Sequence, residues 1–424
     1  MTHPVSWSYA GGMTSSADTP KALVVGLGIS GISAAIALRK AGWTPVVIEK
    51  APGRRRGGYF IGLFGVGRNA AHRLGISHGL EDRTPANRIT YQLDRKGGKR
   101  PTTGFSDQPG GPALMVRGDV EQAAFAALDP DIEVRYSTVP VVIHQHARGV
   151  AVTTRNAVDG TERTERFELV IGADGLRSTV RKLVFGPDED YLRRLNYMIA
   201  AYQLPGDLPG LAPGEGATLA EPGRSFWLFP FTDQPPAVLF SYRTTNVDAE
   251  FAIPAARRIR EVYGPEPLGS TLEQAVRFLE DTDQYLFDSV EQVHLDSWHR
   301  GRVVLVGDSA WCVTLYAGMG VSNGIAGAEL LGTMLTRYPE DPGRALLEWE
   351  KTTRPYVEYF QTFASRGRLI FTPANRPEAV LRSAMLRLAR SPLAGTVQRL
   401  VGVNGKAFTM RNADLEEAAR LIKR

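Results

Sequence analysis

Three stretches of this chain share one pattern: a short apolar run that ends at glycine and is followed by a helix-like segment. In the first stretch, residues 22–25 are apolar and the run stops at Gly26. Apolar residues then recur at Ile29, Ile32 and Ile36. A continuous apolar run of this length is typical of a strand buried on both faces, and the later spacing is typical of a helix. The pattern predicts a strand, a tight turn and a helix, in that order.

The glycines of this first turn predict a phosphate-binding loop. Gly26 would make the turn, Gly28 would let backbone approach a pyrophosphate, and Gly31 would let the helix pack closely on the strand. The helix N-terminus adds free N–H groups and a positive dipole end. A second strand, residues 45–48, is predicted to end at Glu49, where a carboxylate can bind a ribose diol. Because that carboxylate would repel a 2′-phosphate, the loop favours the ADP half of FAD or NAD over NADP.

The same pattern returns at residues 169–171. This apolar run leads into a turn that holds Asp174 and Gly175, and a short helix carrying Arg181 is predicted to follow. Open α/β sheets bind ligands at the carboxyl ends of their parallel strands. The residues therefore indicate a second part of a ligand site, with an ordinary strand-to-helix turn as the alternative.

The third stretch begins with the apolar residues 303–306. The run ends at Gly307 and Asp308, and glycines at 318 and 320 precede a helix predicted to begin near Val321. The carboxylate of Asp308 is suited to binding a polyol, and the helix N-terminus to stabilising negative charge on a ligand ring. Two helix starts so far apart in the sequence predict one long cofactor lying between them.

The connecting segments give weaker predictions. Residues 57–67 are too glycine-rich to predict a stable strand or helix, and indicate either a loop lying flat against a planar ligand or a flexible connection. At least one of the arginines at 54–56 is expected to contact the cofactor. Asp119 is predicted to be the N-cap of a helix over residues 120–128.

Residues 187–290 have a different character, in which Pro- and Gly-rich loops alternate with aromatic strands. We predict an antiparallel sheet here, with aromatic side chains divided between a core face and a pocket wall. Ser270 and Glu273 form a capping-box pattern at the start of one helix. Beyond Pro339 the chain is predicted to be helical and basic. Its apolar stripe, Leu381, Met385 and Leu388, favours a docked helix with a solvated face over a membrane-surface helix.

Composition limits the protein class. The 424 residues allow two or three domains, and the net charge of +5 is spread along the chain, which argues against nucleic-acid binding. The single cysteine, Cys312, fits a reducing cytoplasm. Residues 1–20 are predicted to be a disordered leader, and the sequence predicts neither a membrane span nor a signal peptide. His144 and His146 indicate a polar strand face rather than a metal site.

Taken together, the three stretches resemble the FAD-dependent aromatic monooxygenases of the para-hydroxybenzoate hydroxylase type, over about residues 21–360. The resemblance implies an α/β fold: a Rossmann-like FAD-binding domain, an inserted antiparallel β-sheet substrate domain and C-terminal helices. The expected boundaries are 21–75, 108–185 and 290–345 for the FAD-binding domain, 76–107 and 186–289 for the substrate domain, and 346–424 for the helical region.

The resemblance also implies a set of site residues. Those expected to bind the cofactor are Gly26, Gly28, Gly31, Glu49, Lys50, Arg56, Arg117, Asp174, Gly175, Arg181, Gly307, Asp308, Gly318, Gly320 and Val321. In the family the arginine matched by Arg117 is near the ribityl chain, and the motif of Asp174 contacts both FAD and NAD(P)H. Residues 318–322, including Ser322, would border the flavin ring. No metal and no side-chain nucleophile are expected.

The implied reaction uses NADPH or NADH to reduce FAD, forms a flavin C4a-hydroperoxide with O2, and hydroxylates or epoxidises a substrate. The aromatic middle segment favours a fairly large, apolar aromatic or polyketide-like substrate. This chain departs from the family in having Trp311 where a His is common, and Thr314 and Leu315 where prolines are common. An alternative therefore keeps FAD in a non-redox or structural role in a cyclisation or rearrangement, and a binding module without catalysis is a third hypothesis. The sequence indicates no oligomeric state.

Overall fold

The computed structural model describes residues 19–54, 58–108, 110–389 and 409–422. The predicted leader falls almost wholly outside the described residues. The strands are β1 (Lys21–Val25), β2 (Thr44–Ile48), β3 (Phe60–Leu63), β4 (Ile89–Leu93), β5 (Lys99–Thr102), β6 (Ala113–Val116), β7 (Glu133–Arg135), β8 (Thr138–His146), β9 (Gly149–Asn156), β10 (Glu162–Phe167), β11 (Leu169–Gly172), β12 (Leu192–Gln203), β13 (Glu215–Glu221), β14 (Arg224–Phe229), β15 (Ala237–Arg243), β16 (Leu286–Val293), β17 (His299–Arg300) and β18 (Val303–Leu305).

The helices alternate with these strands in the first half of the chain and dominate its end. They are α1 (Ile29–Lys40), α2 (Gly65–Leu74), α3 (Arg117–Ala126), α4 (Thr179–Val184), α5 (Val247–Glu250), α6 (Ala255–Tyr263), α7 (Gly269–Glu280), α8 (Asp308–Trp311), α9 (Gly320–Arg337), α10 (Pro342–Phe371), α11 (Arg376–Ala389) and α12 (Leu415–Ile422). Short 3₁₀ turns cover Phe105–Asp107, Asp188–Asp190 and Leu315–Ala317. The predicted α/β class with C-terminal helices is confirmed.

A six-stranded sheet brings the three sequence stretches together. Its order is β17-β18-β11-β1-β2-β7, and every neighbouring pair from β18 to β7 is parallel. The apolar runs that predicted β1, β11 and β18 are fully buried, as expected for strands covered on both faces. Because these strands are parallel, the turn that follows each one lies at the same edge of the sheet. The glycine and acidic residues of all three stretches therefore meet at that edge.

The prediction that residues 57–67 are too glycine-rich for regular structure is wrong. Strand β3 pairs with β6, and α2 follows directly. A Cβ on Gly62 would lie 2.4 Å from the Phe105 ring, and a Cβ on Gly67 would lie 2.7 Å from the Cα of Ser322. These glycines allow close packing, which here outweighs their low propensity for strands and helices.

Two predicted helix starts are also wrong. Helix α3 begins at Arg117, so Asp119 lies inside its first turn and is not the N-cap. Helix α7 has Leu268 at its N-cap and no side-chain cap hydrogen bond. Glu273 pairs with Arg260 and Arg277 instead of completing a capping box. Asp119 likewise forms an ion pair, with Arg83 at 2.9 Å, so neither acidic side chain caps its helix.

A seven-stranded sheet of order β16-β12-β15-β14-β13-β4-β5 forms the second layer, with β4 and β13 as its one parallel pair. Its aromatic residues alternate between two faces, as predicted. Phe226 and Phe240 pack in the core beneath α6 and α7. Trp227 and Phe229 lie on the opposite face, within the larger core that includes the six-stranded sheet. We call this second side the inner face.

The C-terminal helices close the inner face. Helix α10 lies against α9, and α11 contacts the sheet at β13. On α11 the predicted apolar stripe is turned outward, with Leu381 51% exposed and Met385 44% exposed, whereas Arg382 is 1% exposed. The helix therefore docks through an arginine and not through its apolar stripe. In the described part of the chain, every helix is too short or too polar to cross a bilayer.

Candidate functional site

A cavity of about 250 Å³ opens at the shared edge of the parallel strands, beside the N-terminus of α1. Its walls are formed by the backbone of the turns after β1, β2 and β11 and by side chains of α3. The predicted site residues that line it are Gly26, Gly28, Glu49, Lys50, Arg117, Asp174 and Gly175. Residues from four separate parts of the sequence thus surround one space.

The three glycines of the first turn differ in what surrounds them. Gly26 has φ +106°, a backbone conformation that favours glycine, and a Cβ there would lie 2.5 Å from the carbonyl oxygen of Ala173. A Cβ on Gly31 would lie 1.9 Å from the carbonyl oxygen of Gly26, so Gly31 lets α1 approach the turn. Gly28 has nothing within 4 Å of its Cβ position. Of the three, only Gly28 presents open space to the cavity.

Glu49 fixes the turn from the neighbouring strand. Its carboxylate accepts hydrogen bonds from the backbone N–H of Leu27 at 2.8 Å and of Ala51 at 2.9 Å. These two bonds hold the carboxylate beside the glycine turn, at the end of β2. Each carboxylate oxygen has further lone pairs, so the group can also accept hydrogen bonds from a ligand hydroxyl.

Asp174 is tied to its own helix. Its carboxylate accepts from the backbone N–H of Thr179 at 2.6 Å and of Val180 at 3.1 Å, and from the hydroxyl of Ser178. Burial raises the pKa of Asp174, and these three hydrogen bonds oppose that rise. Asp174 therefore orients the N-terminus of α4 at the cavity wall.

A cluster of Tyr59, Arg117 and Asp308 continues the cleft away from the glycine turn. Arg117 forms an ion pair with Glu121 at 2.7 Å and interacts electrostatically with Asp308. Asp308 is solvent-accessible but surrounded by protein on most sides. The resulting desolvation raises the pKa of its carboxyl group, and the positive charge of Arg117 partly opposes that rise. Burial likewise raises the pKa of Tyr59, which keeps its hydroxyl protonated. The cluster links the β18 turn to the cavity through Arg117.

The predicted ring-bordering residues stand at the N-terminus of α9. A Cβ on Gly320 would be 4.0 Å from Asp308 Oδ1, which puts this helix start beside the cluster. Gly318 has φ +68° and lies against Phe105. The hydroxyl of Ser322 is buried and accepts a hydrogen bond from the backbone N–H of Phe64 at 3.0 Å. Val321 is partly buried at the first turn of the helix.

Arg181, a predicted cofactor contact, does not line the cavity. It is 0% exposed, and its guanidinium donates to the carbonyl oxygens of Ser309 and Leu176 and to the carboxylate of Asp188 at 2.6 Å. These bonds join α4 to α8. Gly307 likewise lies against α1 and not in the cavity lining.

The arginine triplet is only partly described. Arg56 lies outside the described residues. Arg54 lines the cavity, where its guanidinium stacks 4.2 Å from the Phe125 ring centroid and donates to Gln122 at 2.6 Å. The prediction that one of these arginines lies at the cofactor thus has one described candidate.

Sequence reasoning missed two parts of the site. Thr138, Val139 and Pro140 line the cavity because β7 lies next to β2, and the backbone N–H of Thr138 donates to the carbonyl oxygen of Glu49. The rule that ligands bind beyond the carboxyl ends of parallel strands would have identified them, had the place of β7 in the sheet been known. No sequence pattern marked Tyr59 as a site residue, apart from its position in the glycine-rich segment.

The positions that depart from the family pattern occupy two environments. Trp311 is 1% exposed and packs against Trp298 and Trp349, with ring centroids 4.6 and 5.6 Å away. Thr314 has φ +69° and ψ 164°, a conformation that strains a β-branched residue, and its hydroxyl accepts from the backbone N–H of Tyr316. Trp311 therefore belongs to the core, whereas Thr314 holds a strained turn before the ring-bordering segment.

Comparisons with known proteins agree with this geometry. The FAD binding domain family matches residues 19–190. A flavin-dependent monooxygenase from an unknown prokaryotic organism is 28% identical over 362 residues, which cover 81% of this chain and 88% of that protein.

Two crystal structures share the fold. That of tetracycline destructase Tet(51) matches with a TM-score of 0.72 at 24% identity and covers 93% of this chain and 98% of that chain. That of Klebsiella pneumoniae HpxO complexed with FAD and uric acid matches with a TM-score of 0.71 at 21% identity, with the same coverage of each chain. The sequence resemblance stated above is confirmed: residues 19–190 match the FAD binding domain family, and the chain is similar over most of its length to a flavin-dependent monooxygenase.

Proposed function

We propose that this protein is an FAD-dependent monooxygenase that uses NAD(P)H and O2 to hydroxylate or epoxidise a fairly large, apolar aromatic or polyketide-like substrate. The observation that carries the proposal is the row of turns at one sheet edge, from Glu49 through Gly28 and Asp174 to Asp308. A row of this kind suits one elongated dinucleotide, because its phosphate, ribose and polyol parts each need different partners.

The residues around the cavity fit the ADP part of FAD. The open space at Gly28 and the unbonded N–H groups of the first turn of α1 would receive the pyrophosphate. Glu49 would accept hydrogen bonds from the ribose hydroxyls, and Arg54 or Arg117 would balance phosphate charge. The cluster of Tyr59, Arg117 and Asp308 would hold the ribityl chain.

Bound FAD would supply the chemistry that side chains lack, namely hydride acceptance and activation of oxygen. The protein has three tasks around it. The backbone N–H groups at Gly320 to Ser322 would stabilise negative charge on the ring, because they lie at the positive end of α9. Asp308 would bind the polyol. The aromatic residues of the inner face would exclude water from the site.

The substrate class is supported by the inner face and by the relatives. Trp227 and Phe229 offer aromatic rings there, and flat aromatic molecules pack well on such rings. Tetracycline destructase Tet(51) is named for a polycyclic substrate, and HpxO binds the planar uric acid. Tetracycline and uric acid are both fused ring systems that bear several oxygens, which favours an oxygenated ring system as the substrate of this chain.

Anaerobic reduction of the purified protein tests the proposal. The preparation is expected to carry FAD, to lose its yellow colour on addition of NADPH or NADH, and to regain it in air. With a panel of polycyclic phenols, the product is expected to gain the mass of one oxygen atom, derived from ¹⁸O2 in a labelled experiment. Bound FAD that neither nicotinamide reduces would contradict the proposal and support the cyclisation or rearrangement alternative.

A further inference from the structure

Helix α11 (Arg376–Ala389) turns an apolar face toward solvent. Val380 is 70% exposed, Leu381 51% and Met385 44%. Residues three or four apart share a side of a helix, so these side chains and that of Ala384 form one continuous surface, which we call the outer stripe. No other helix in the described part of the chain exposes more than one large apolar side chain. The outer stripe is therefore a patch and not a scatter of single exposed residues.

The outer stripe is not what holds α11 on the protein. The helix is anchored through another side by Arg382, which is 1% exposed. Its Nε donates to the carbonyl oxygen of Ile370 at 2.7 Å, and its Nη2 donates to the hydroxyl of Thr218 at 3.3 Å. Because the helix is docked by these contacts, its outward apolar surface is available to a second surface. Contiguous exposed apolar patches are typical of protein or membrane contacts.

The charges of α11 show which kind of surface the outer stripe fits. Arg376 and Arg387 are both exposed, and helical spacing places them along one border of the stripe, beside Val380. The one acidic residue of the helix, Glu378, is already engaged, because its carboxylate accepts two hydrogen bonds at 2.8 Å from Arg368. The exposed side of α11 thus combines apolar side chains with positive charge, and charge complementarity favours an anionic surface.

We propose that α11 binds the surface of a membrane that contains anionic phospholipids. The outer stripe enters the interface, and Arg376 and Arg387 contact the headgroups, as in amphipathic helices that lie on a bilayer. A second copy of this chain fits less well, because pairing two identical faces would set arginine against arginine without an unengaged acid on either helix. The inference goes beyond the proposed reaction and does not depend on it. Such binding would bring the protein to the place where apolar molecules concentrate.

Co-sedimentation of the FAD-loaded protein with vesicles tests the proposal. Phosphatidylcholine vesicles with about one-third phosphatidylserine are expected to bind at least about tenfold more tightly than pure phosphatidylcholine, and added salt should weaken the binding. Leu381→Gln should weaken binding at least about fivefold at an unchanged unfolding midpoint, because the side chain is exposed. Leu347→Gln is the matched control, since Leu347 is 60% exposed on α10, away from the stripe.

The charge contribution has its own pair of variants. Arg387→Gln should weaken binding to the phosphatidylserine vesicles about fivefold and leave binding to pure phosphatidylcholine unchanged. Arg148→Gln, in the exposed turn between β8 and β9, should bind like the wild type.

Wild-type protein that stays in the supernatant with both kinds of vesicle would overturn the inference, as would vesicle binding that survives in Leu381→Gln. A lower unfolding midpoint of Leu381→Gln would also overturn it, because the stripe would then pack against the protein itself. Light scattering covers the remaining occupant: a wild-type dimer that Leu381→Gln converts to a monomer, without vesicle binding, would assign the stripe to a second copy instead.

Discussion

The hydroxyl of Ser30 occupies the position that a side chain on Gly307 would need: a Cβ added at Gly307 would lie 2.4 Å from Ser30 Oγ. Ser30 is in the first turn of α1, and Gly307 ends the apolar run of the third sequence stretch. Gly324 in α9 approaches the same hydroxyl, with its Cβ position 2.3 Å away. The first helix start and the Gly-Asp turn are thus in direct contact, so one bound molecule can span both.

We expect Gly307→Ala to lower the thermal unfolding midpoint and to impair FAD binding. Gly307 has φ +73° and ψ −143°, a region essentially restricted to glycine, where an alanine costs about 1–3 kcal/mol, and the overlap with Ser30 adds roughly 1–3 kcal/mol. Gly160→Ala is a control for the effect of positive φ, because Gly160 also has φ +73° but has open space around its Cβ position. Scanning calorimetry with FAD titration of both variants checks the prediction.

The double variant Ser30→Gly/Gly307→Ala distinguishes the steric overlap with Ser30 from the backbone strain at residue 307. Removing the Ser30 side chain takes away the atoms that the new Cβ would meet, so FAD affinity should recover relative to Gly307→Ala alone. A double variant that binds FAD no better than Gly307→Ala would show that the contact between α1 and the Gly-Asp turn does not control the site.

Gly28→Ser is expected to weaken FAD binding with little effect on the stability of the FAD-free protein. Gly28 is the N-cap of α1 with φ −77°, and serine is a favourable N-cap residue. Its side chain would enter the open space at Gly28, where the pyrophosphate is proposed to lie. We expect a loss of affinity of at least about tenfold, equivalent to about 1.4 kcal/mol. Unchanged FAD affinity would contradict this location, and Gly206→Ser serves as the control, because its Cβ position is also open.

The sequence was sufficient to predict the turns, but not which of the neighbouring side chains line the cavity. Buried apolar runs ending at Gly26, Gly172 and Gly307 predicted three parallel strands, because such runs fit only a sheet covered on both faces. Arg181 is directed away from the cavity by a hydrogen bond to the carbonyl oxygen of Ser309, which lies far away in the sequence. Local spacing carries no information about such a partner.

Long-range packing explains the other missed predictions as well. Residues 60–67 form a strand and the start of a helix because Gly62 faces Phe105 and Gly67 faces Ser322, neither of which is near them in the sequence. Thr138 lines the cavity because β7 is the edge strand beside β2. Propensity and periodicity describe neighbours along the chain, and these features depend on neighbours in space.

Arg117 and Arg181, two of the arginines predicted to bind the cofactor, should respond differently to removal of their charge. Arg181→Met should cost roughly 3–5 kcal/mol of stability, because it breaks a buried ion pair with Asp188 and leaves buried carbonyl groups unpaired. Arg117→Met should weaken FAD binding with a smaller loss of stability, since Arg117 lines the cavity and its side chain is 26% exposed. Unfolding midpoints of the FAD-free variants, compared with their FAD dissociation constants, separate the effects. A selective loss of FAD affinity in Arg181→Met would contradict this assignment.

His294 should make the fold less stable in mild acid. Its Nε2–H donates a hydrogen bond to the side-chain oxygen of Gln292 at 3.0 Å, and desolvation, assisted by Arg193, lowers the pKa of His294 from 6.5 to about 4. Between these two pKa values the unfolded chain binds a proton that the folded protein does not. Stability therefore falls as the pH drops through this window, by roughly 1–2 kcal/mol between about pH 7 and about pH 5.

His294→Gln removes this titration and should flatten the pH dependence of the unfolding midpoint by that amount. His144→Gln is the control for replacing a histidine by glutamine, because His144 is exposed on β8. The informative quantity is the difference between the variant and wild-type curves, because acidic side chains contribute equally to both. Parallel curves for His294→Gln and the wild type would show that His294 is protonated equally in the folded and unfolded states, and desolvation would then not govern its pKa.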